Sequence, residues 1–374
     1  MNQSSKICHL TIGHSALDDR IFFKEIKSLK KIFDDVTVVA SGKNKRWEKD
    51  GVKIIEFEKS HLLKNLIKCY KIAKFQKAKI YHIHEPELLL IVLLLKWLYG
   101  SKIIYDVHEF TFLLFIEFSP RRSWKSWILA IFFQGLEWLC SIFVNTVIVS
   151  TPFLTQRFKK LNKNTFEILN FVDTNLFFPG NYQKNRSSPY ILYHGQIAEA
   201  RHSMIETIKY LRKNSSNIKL KLIGSVTSKI WGKQISDLIK KLDIENCIEI
   251  LPPILHDQIT KFVQNATIGF ASMNPNRSFM KSVQIKPFEF MACGIPVIAA
   301  RTHTLQKFIE DEKAGILLED PTPQKVADAV RFLLENPEKA KEMGKNGRNA
   351  VLKKYYWAKM EKKLIYIYKK LLKN

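Results

Sequence analysis

Short apolar runs of strand length recur through both halves of this 374-residue chain, separated by longer stretches with helical spacing. In the first half they are KICHLTIG, VTVVASG, VKIIEFE, KIYHIH, KIIYDVHE and TVIVSTP; in the second they are YILYHG, IKLKLIGS, IEILPP and VIAA. Strands that alternate with helices build parallel sheets covered on both faces, and such sheets bind ligands beyond the carboxyl ends of their strands. The chain is about twice the length of an ordinary domain, so two cores are expected. Its 46% hydrophobic content supplies both. The polar, turn-forming tract NYQKNRSSPY divides the halves. The reading is an α/β chain with a first domain at 1–180, a second at 189–355 and a terminal helix at 356–374.

Within the second half, SVQIKPFEFMACGIPVIAA carries only two charges, Lys286 and Glu289. Three residues apart, they share a helical face. Pro287 suits a first helical turn, Gly294 suits the helix end, and VIAA reads as a buried strand. Two readings follow from the residues alone: a surface ion pair on an amphipathic helix, or a ligand site, with Lys286 toward a phosphate and Glu289 toward ribose hydroxyls.

KPFEFMACGIPVI resembles the nucleotide-sugar-binding segment of family 4 glycosyltransferases, K-x-x-E-x-x-A-x-G-x-P-V-I. These are retaining enzymes of the GT-B fold. Three further stretches are similar to that family: H-x-x-x-D-x-R-I-F from His14 to Phe22, D-x-H-E from Asp106 to Glu109, and N-F-V-D-x-x-x-F-x-P from Asn170 to Pro179, where Phe171 replaces the usual Gly. The resemblance implies two Rossmann-like domains facing across a cleft, with the last helix crossing back to the first. It implies a donor site of Gly195, Gln196, Arg201, Gly224, Lys286 and Glu289. His108, Arg201 and Lys286 take the catalytic roles, His108 oriented by Asp106 and Glu109. Gly13, His14, His84 and Glu109 fall on the acceptor side or cleft, with His84 the alternative to His108. Lys281 stands where many members carry a second Glu near the donor sugar.

The implied reaction moves a sugar from a nucleotide sugar to a saccharide or lipid-linked acceptor. Its leaving diphosphate needs positive charge, and the sequence contains no Asp-x-Asp tripeptide of the kind that holds a bridging metal. Arg201 and Lys286 are therefore expected to supply it, with no metal or other cofactor. Competing readings are a nucleotide-sugar epimerase of the same fold, and an inactive basic protein that binds acidic polysaccharide or nucleic acid.

The formal charge of +25 has two explanations, an anionic partner or a lysine-rich composition spread along the chain. No nucleic-acid-binding module is recognisable, and none is expected to be a partner. FTFLLFIEFSPRRSWKSWILAIFFQGLEWLCSIF concentrates aromatic residues around Arg121, Arg122 and Lys125. Its interruptions argue against a spanning helix. It fits either an interfacial helix on an anionic bilayer or a helix buried against the sheet. Scattered cysteines, Cys8, Cys69, Cys140, Cys247 and Cys293, and an N-terminus without an apolar export core fit a cytoplasmic protein, peripheral at the inner membrane face.

Overall fold

The computed structural model describes residues 5–108, 110, 112, 124–180, 189–197, 202–212, 218–226, 228–271 and 280–373. They divide into two compact units, 1–170 with 358–374, and 171–357.

The first unit holds an eight-stranded sheet: β1 (Ile7–Thr11), β2 (Val36–Gly42), β3 (Arg46–Lys49), β4 (Val52–Glu58), β5 (Ile80–Ile83), β6 (Lys102–Val107), β7 (Thr146–Val149) and β8 (Thr165–Glu167). Its order is β3-β4-β2-β1-β5-β6-β7-β8, parallel apart from the β3–β4 hairpin. The six expected strands all form. The edge strands β3 and β8 escape notice because RWEK and TFE are too short and polar to stand out by pattern. On one face of the sheet Cys8, Leu10, Tyr81, Ile83, Tyr105 and Val107 pack into an apolar core.

The Leu62–Gln76 helix does not bury its most apolar stripe. Leu62, Leu63, Leu66, Ile67 and Tyr70 share one side of it, where Leu63 and Ile67 are 63% and 47% exposed, and the buried line is Asn65, Cys69 and Ala73. Small side chains let the helix approach the sheet closely, and Asn65 is accepted because it closes a loop, receiving from Ser60 N at 2.8 Å and donating to Ser60 O at 2.9 Å. The Trp357–Lys373 helix belongs, from Ala358 onward, to this first unit.

The second unit is a six-stranded parallel sheet of β9 (Tyr190–His194), β10 (Lys219–Ile223), β11 (Ile248–Leu251), β12 (Ile268–Phe270), β13 (Val297–Ala300) and β14 (Gly315–Leu318), in the order β11-β10-β9-β12-β13-β14. The short strand β12 was not among the expected runs; it is central, with Gly269 against the Phe290 ring, where a Cβ would come within 2.3 Å. The helices expected near Met204–Lys213 and Lys229–Leu242 are found at His202–Arg212 and Lys229–Lys241. Phe171 lies among aromatic rings, 5.1 Å from Phe288 and 5.4 Å from Tyr355 between centroids. Both sheets have the doubly wound arrangement in which strand order reverses beside the first strand, β1 or β9.

Candidate active site

In the second unit the candidate residues gather at the carboxyl ends of β9 and β10. Lys286 and Pro287 open the Lys286–Ala292 helix, whose remaining residues are buried. Gly294, with φ +75°, turns the chain toward β13, a conformation that favours glycine. Gly195 continues β9 with φ +121°; a Cβ there would stand 2.7 Å from Lys286 Cε and 3.0 Å from its Nζ. The missing side chain is what lets the ammonium lie over the loop. A Cβ on Gly224 would meet Gly195 O, so the two strand-end loops touch backbone to backbone.

Beneath the ammonium, Glu289 is 2% exposed and its Oε2 lies 3.2 Å from His194 Nε2. Burial, with Lys286 and His256 nearby, pushes His194 down to about 3, so the imidazole is neutral beside the carboxylate. No carboxylate pairs with Lys286 among the described residues. Gln196 is exposed at the loop, and its backbone oxygen accepts from Tyr193 Oη at 3.1 Å. Lys281 is half-buried. Arg201, given both donor and catalytic roles, lies outside the described residues, as does Glu109.

In the first unit the sequence-selected His84 and His108 meet at the ends of β5 and β6, as their neighbouring strands require. His108 Nε2 is 2.9 Å from Asp106 Oδ2 and 3.1 Å from His84 Nδ1. His14 sits with its ring 4.9 Å from that of His108 and its Nδ1 3.3 Å from Asp18 Oδ2. Burial opposes ionisation of Asp106, but the Arg20 guanidinium and the two histidines outweigh it and hold its carboxyl well below the usual range. Arg20 grips Asp106 with two bonds, Nε to Oδ2 at 3.1 Å and an Nη to Oδ1 at 3.0 Å. Glu25 lies 3.0 Å from the same guanidinium, yet burial and the charge of Asp106 raise it well above the carboxylate range. Sharing one arginine, the pair holds one negative charge, on Asp106.

Gly13 begins a loop closed by a residue the sequence reading left without a role. Glu85 accepts from Thr11 Oγ1, from Ile12 N at 3.1 Å and from Gly13 N at 2.8 Å. His9, His82 and Tyr368 were also missed. The signal was present: alternate residues of a strand share a face, so His82 and His84 side by side with His9 on β1 form a polar band where apolar residues are normal. His9, Glu25, His82 and His84 bring one potential metal-ligand atom each within 4.8 Å, as do His84, Asp106 and His108. However, His9 Nδ1 and His84 Nε2 face each other at 3.1 Å with ring centroids 5.3 Å apart and planes within 17°. The rings meet nearly end to end, an arrangement that suits a proton shared between the two nitrogens.

Two such doubly wound units, with the last helix returned to the first, define the GT-B fold. Solved structures agree: sucrose-phosphate synthase from Thermosynechococcus elongatus superposes with a TM-score of 0.76 at 17% identity over 98% of this chain and 99% of that one. Anabaena HepE in complex with UDP and glucose gives 0.75 at 14% identity over 98% and 100%. Residues 177–350 match the family described as Glycosyl transferases group 1. Among curated relatives, D-inositol 3-phosphate glycosyltransferase of Paenarthrobacter aurescens is 25% identical over 185 residues, 46% of this chain and 44% of that protein. An uncharacterised glycosyltransferase of Methanocaldococcus jannaschii is 30% identical over 156 residues, 42% and 40% of the two chains. The matched regions therefore span less than half the length of these relatives.

Proposed function

We propose that the protein is a retaining glycosyltransferase of family 4 type that moves a hexosyl group from a nucleotide sugar to a saccharide or lipid-linked acceptor in surface polysaccharide or glycolipid synthesis. The observation that carries this is the Lys286 ammonium held over Gly195 with no carboxylate against it among the described residues, inside the segment that matches the group 1 family. An ammonium at a strand-end loop suits a leaving diphosphate, as do backbone amides nearby. In this reading Arg201 adds the second cation and no metal is needed. Glu289 meets the ribose and Gly224 leaves room for the diphosphate. His108 orients the reacting sugar. The HepE complexes with UDP and UDP-glucose make uridine nucleotides the first donors to try.

A thermal-shift screen of nucleotide sugars, followed by a transfer assay with and without EDTA, tests the reading. A donor at a hundred times its dissociation constant stabilises by about 2.7 kcal/mol. Transfer undiminished by EDTA supports the proposal; activity lost in EDTA and restored by magnesium or manganese removes the metal-free part. A released epimer with no transfer would make the protein an epimerase.

The same proposal places the enzyme on the inner face of an anionic membrane. No helix among the described residues is long and apolar enough to cross one. The Trp124–Phe143 helix is nevertheless inverted: Gln134, Glu137 and Ser141 are buried, while Trp124 is 69% exposed and Trp127, Ile131, Phe132, Trp138 and Leu139 face outward. Much of its polar side is hydrogen-bonded internally, Tyr105 Oη donating to Glu137 Oε1 at 2.5 Å, Gln134 Nε2 to Glu137 Oε2 at 2.5 Å and Ser141 Oγ to Glu137 O at 2.6 Å. Trp97, 73% exposed, adds to the outward apolar surface from the Leu89–Tyr99 helix. Apolar faces of this kind are stable against lipid, and neighbouring cations such as Arg157, over Trp138, favour anionic headgroups. Arg121 and Arg122, expected to contribute, lie outside the described residues. Sedimentation with anionic and neutral vesicles tests this: preferential binding to anionic vesicles, released by salt, supports it, and equal or absent binding defeats it.

A further inference from the structure

The polar band of the first unit is one continuous line of hydrogen bonds. Tyr368 Oη lies 2.7 Å from His82 Nδ1 and 3.3 Å from His9 Nε2. His9 Nδ1 faces His84 Nε2 at 3.1 Å, and His84 Nδ1 faces His108 Nε2 at 3.1 Å. His9, His82, His84 and Tyr368 are buried, and His108 has 14% of its side chain exposed. The charged and titratable groups around the line are Arg20, Lys24 and Glu25 from the segment after β1, Glu85 and Asp106 at the strand ends, and His14 and Asp18 in the loop that follows β1.

Neutral imidazole carries one proton on one of two nitrogens, so fixing one ring in a chain fixes its neighbours. At one end His82 Nε2 lies 4.0 Å from Asp106 Oδ2, and the negative charge of that carboxylate favours N–H over a lone pair there. His82 Nδ1 is then an acceptor and takes the Tyr368 hydroxyl proton; burial raises the Tyr368 phenol, so that proton stays in place. Tyr368 Oη accepts from His9 Nε2–H, His9 Nδ1 accepts from His84 Nε2–H, and His84 Nδ1 accepts. At the other end ionised Asp106 requires a donor, and His108 Nε2–H serves both it and His84. Each end dictates the same direction. Burial lowers His9, His82 and His84, which keeps all three neutral as this scheme needs.

We propose that Tyr368, His9 and His84 are positioning residues that lock His108 as its Nε2–H tautomer, leaving Nδ1 a lone pair that accepts from a substrate hydroxyl. The lock is a property of the first unit alone; its use on a sugar hydroxyl rests on the transferase reading. Replacing Tyr368 by Phe removes both the acceptor of His9 and the donor to His82 with little change in shape. His9 is then freed to donate through Nδ1, His84 turns its proton toward Asp106 Oδ2, 3.6 Å away, and His108 meets a competitor for that oxygen.

Nitrogen-15 spectra of histidine-labelled full-length protein read the tautomers directly, with His9→Gln, His84→Gln and His108→Gln providing assignments. In the wild type His9, His82, His84 and His108 are expected as Nε2–H forms. In Tyr368→Phe the His84 signals move to the Nδ1–H form, and turnover falls while donor affinity stays unchanged. Wild-type His84 or His108 found as Nδ1–H overturns the proposal whether or not the variant folds. So does a Tyr368→Phe protein, folded, with His84 and turnover unmoved. Tautomers that behave as stated in a protein that transfers no sugar would uphold the lock and remove the transferase reading.

Discussion

The two units place the same loop at the same point of the same topology and fill it with opposite charge. After β1, the amides of Ile12 and Gly13 close on the carboxylate of Glu85. After β9, Gly195 lies under the ammonium of Lys286. A glycine loop at the reversal of strand order is a natural anion site. In the first unit the chain supplies that anion itself. In the second it supplies a cation, Lys286, with no carboxylate against it among the described residues, and under the proposed function this loop takes the nucleotide while the first unit, with His14, Asp18 and His108, takes the hydroxyl-bearing partner.

The largest effect is expected from reversing the charge in the second unit. Lys286→Glu should abolish nucleotide binding, because the loop would then resemble its self-occupied counterpart, and Lys286→Ala should slow transfer roughly a hundredfold. Steady-state kinetics and calorimetry read both. Glu289→Ala should remove donor binding while circular dichroism and melting show a folded protein; unchanged nucleotide affinity would refute its ribose role.

A smaller effect, on stability instead of donor affinity, is expected at the matching position of the first unit. Glu85→Ala leaves three donors without their acceptor and should cost about 1–3 kcal/mol in denaturant unfolding, with nucleotide affinity unchanged. A variant that lost nucleotide binding as well would show that the two loops are not divided as described.

The smallest effect is the response to acid. His9, His82 and His84 have folded values below their unfolded ones, so the unfolded chain binds more protons as pH falls below about 6.5 and stability declines. Asp106, also lowered, extends the loss to lower pH with the same sign, and Glu25, raised, opposes it in part. In the second unit His194 contributes to this imidazole term, between its unfolded value and about 3. Hydrogen exchange at pH 7 and pH 5 should therefore show protection falling further in β1, β5 and β6 than in β9 and β10.

How much of this was legible in the sequence follows from where the information is local. Strands β1, β2 and β4 to β7 stood out because each is an apolar run bounded by turn formers, and Lys286 with Glu289 stood out because charge is rare in such a run. Glu85 did not: its partners Thr11, Ile12 and Gly13 lie on another strand's end, and only the β1–β5 pairing brings them together. Tyr368 was hidden for the same reason, its contacts with His82 and His9 depending on the terminal helix packing on the sheet. The Leu62–Gln76 helix shows the limit of periodicity, since its buried line was set by the small residues Cys69 and Ala73 and not by its leucines.

The division of labour between the loops is tested most directly by titrating UDP calorimetrically into the wild type, Lys286→Ala and Glu85→Ala. The account predicts affinity reduced about tenfold or more in Lys286→Ala, a loss of at least ~1.4 kcal/mol, and wild-type affinity in Glu85→Ala. Wild-type affinity in Lys286→Ala, or its loss in Glu85→Ala, would contradict it.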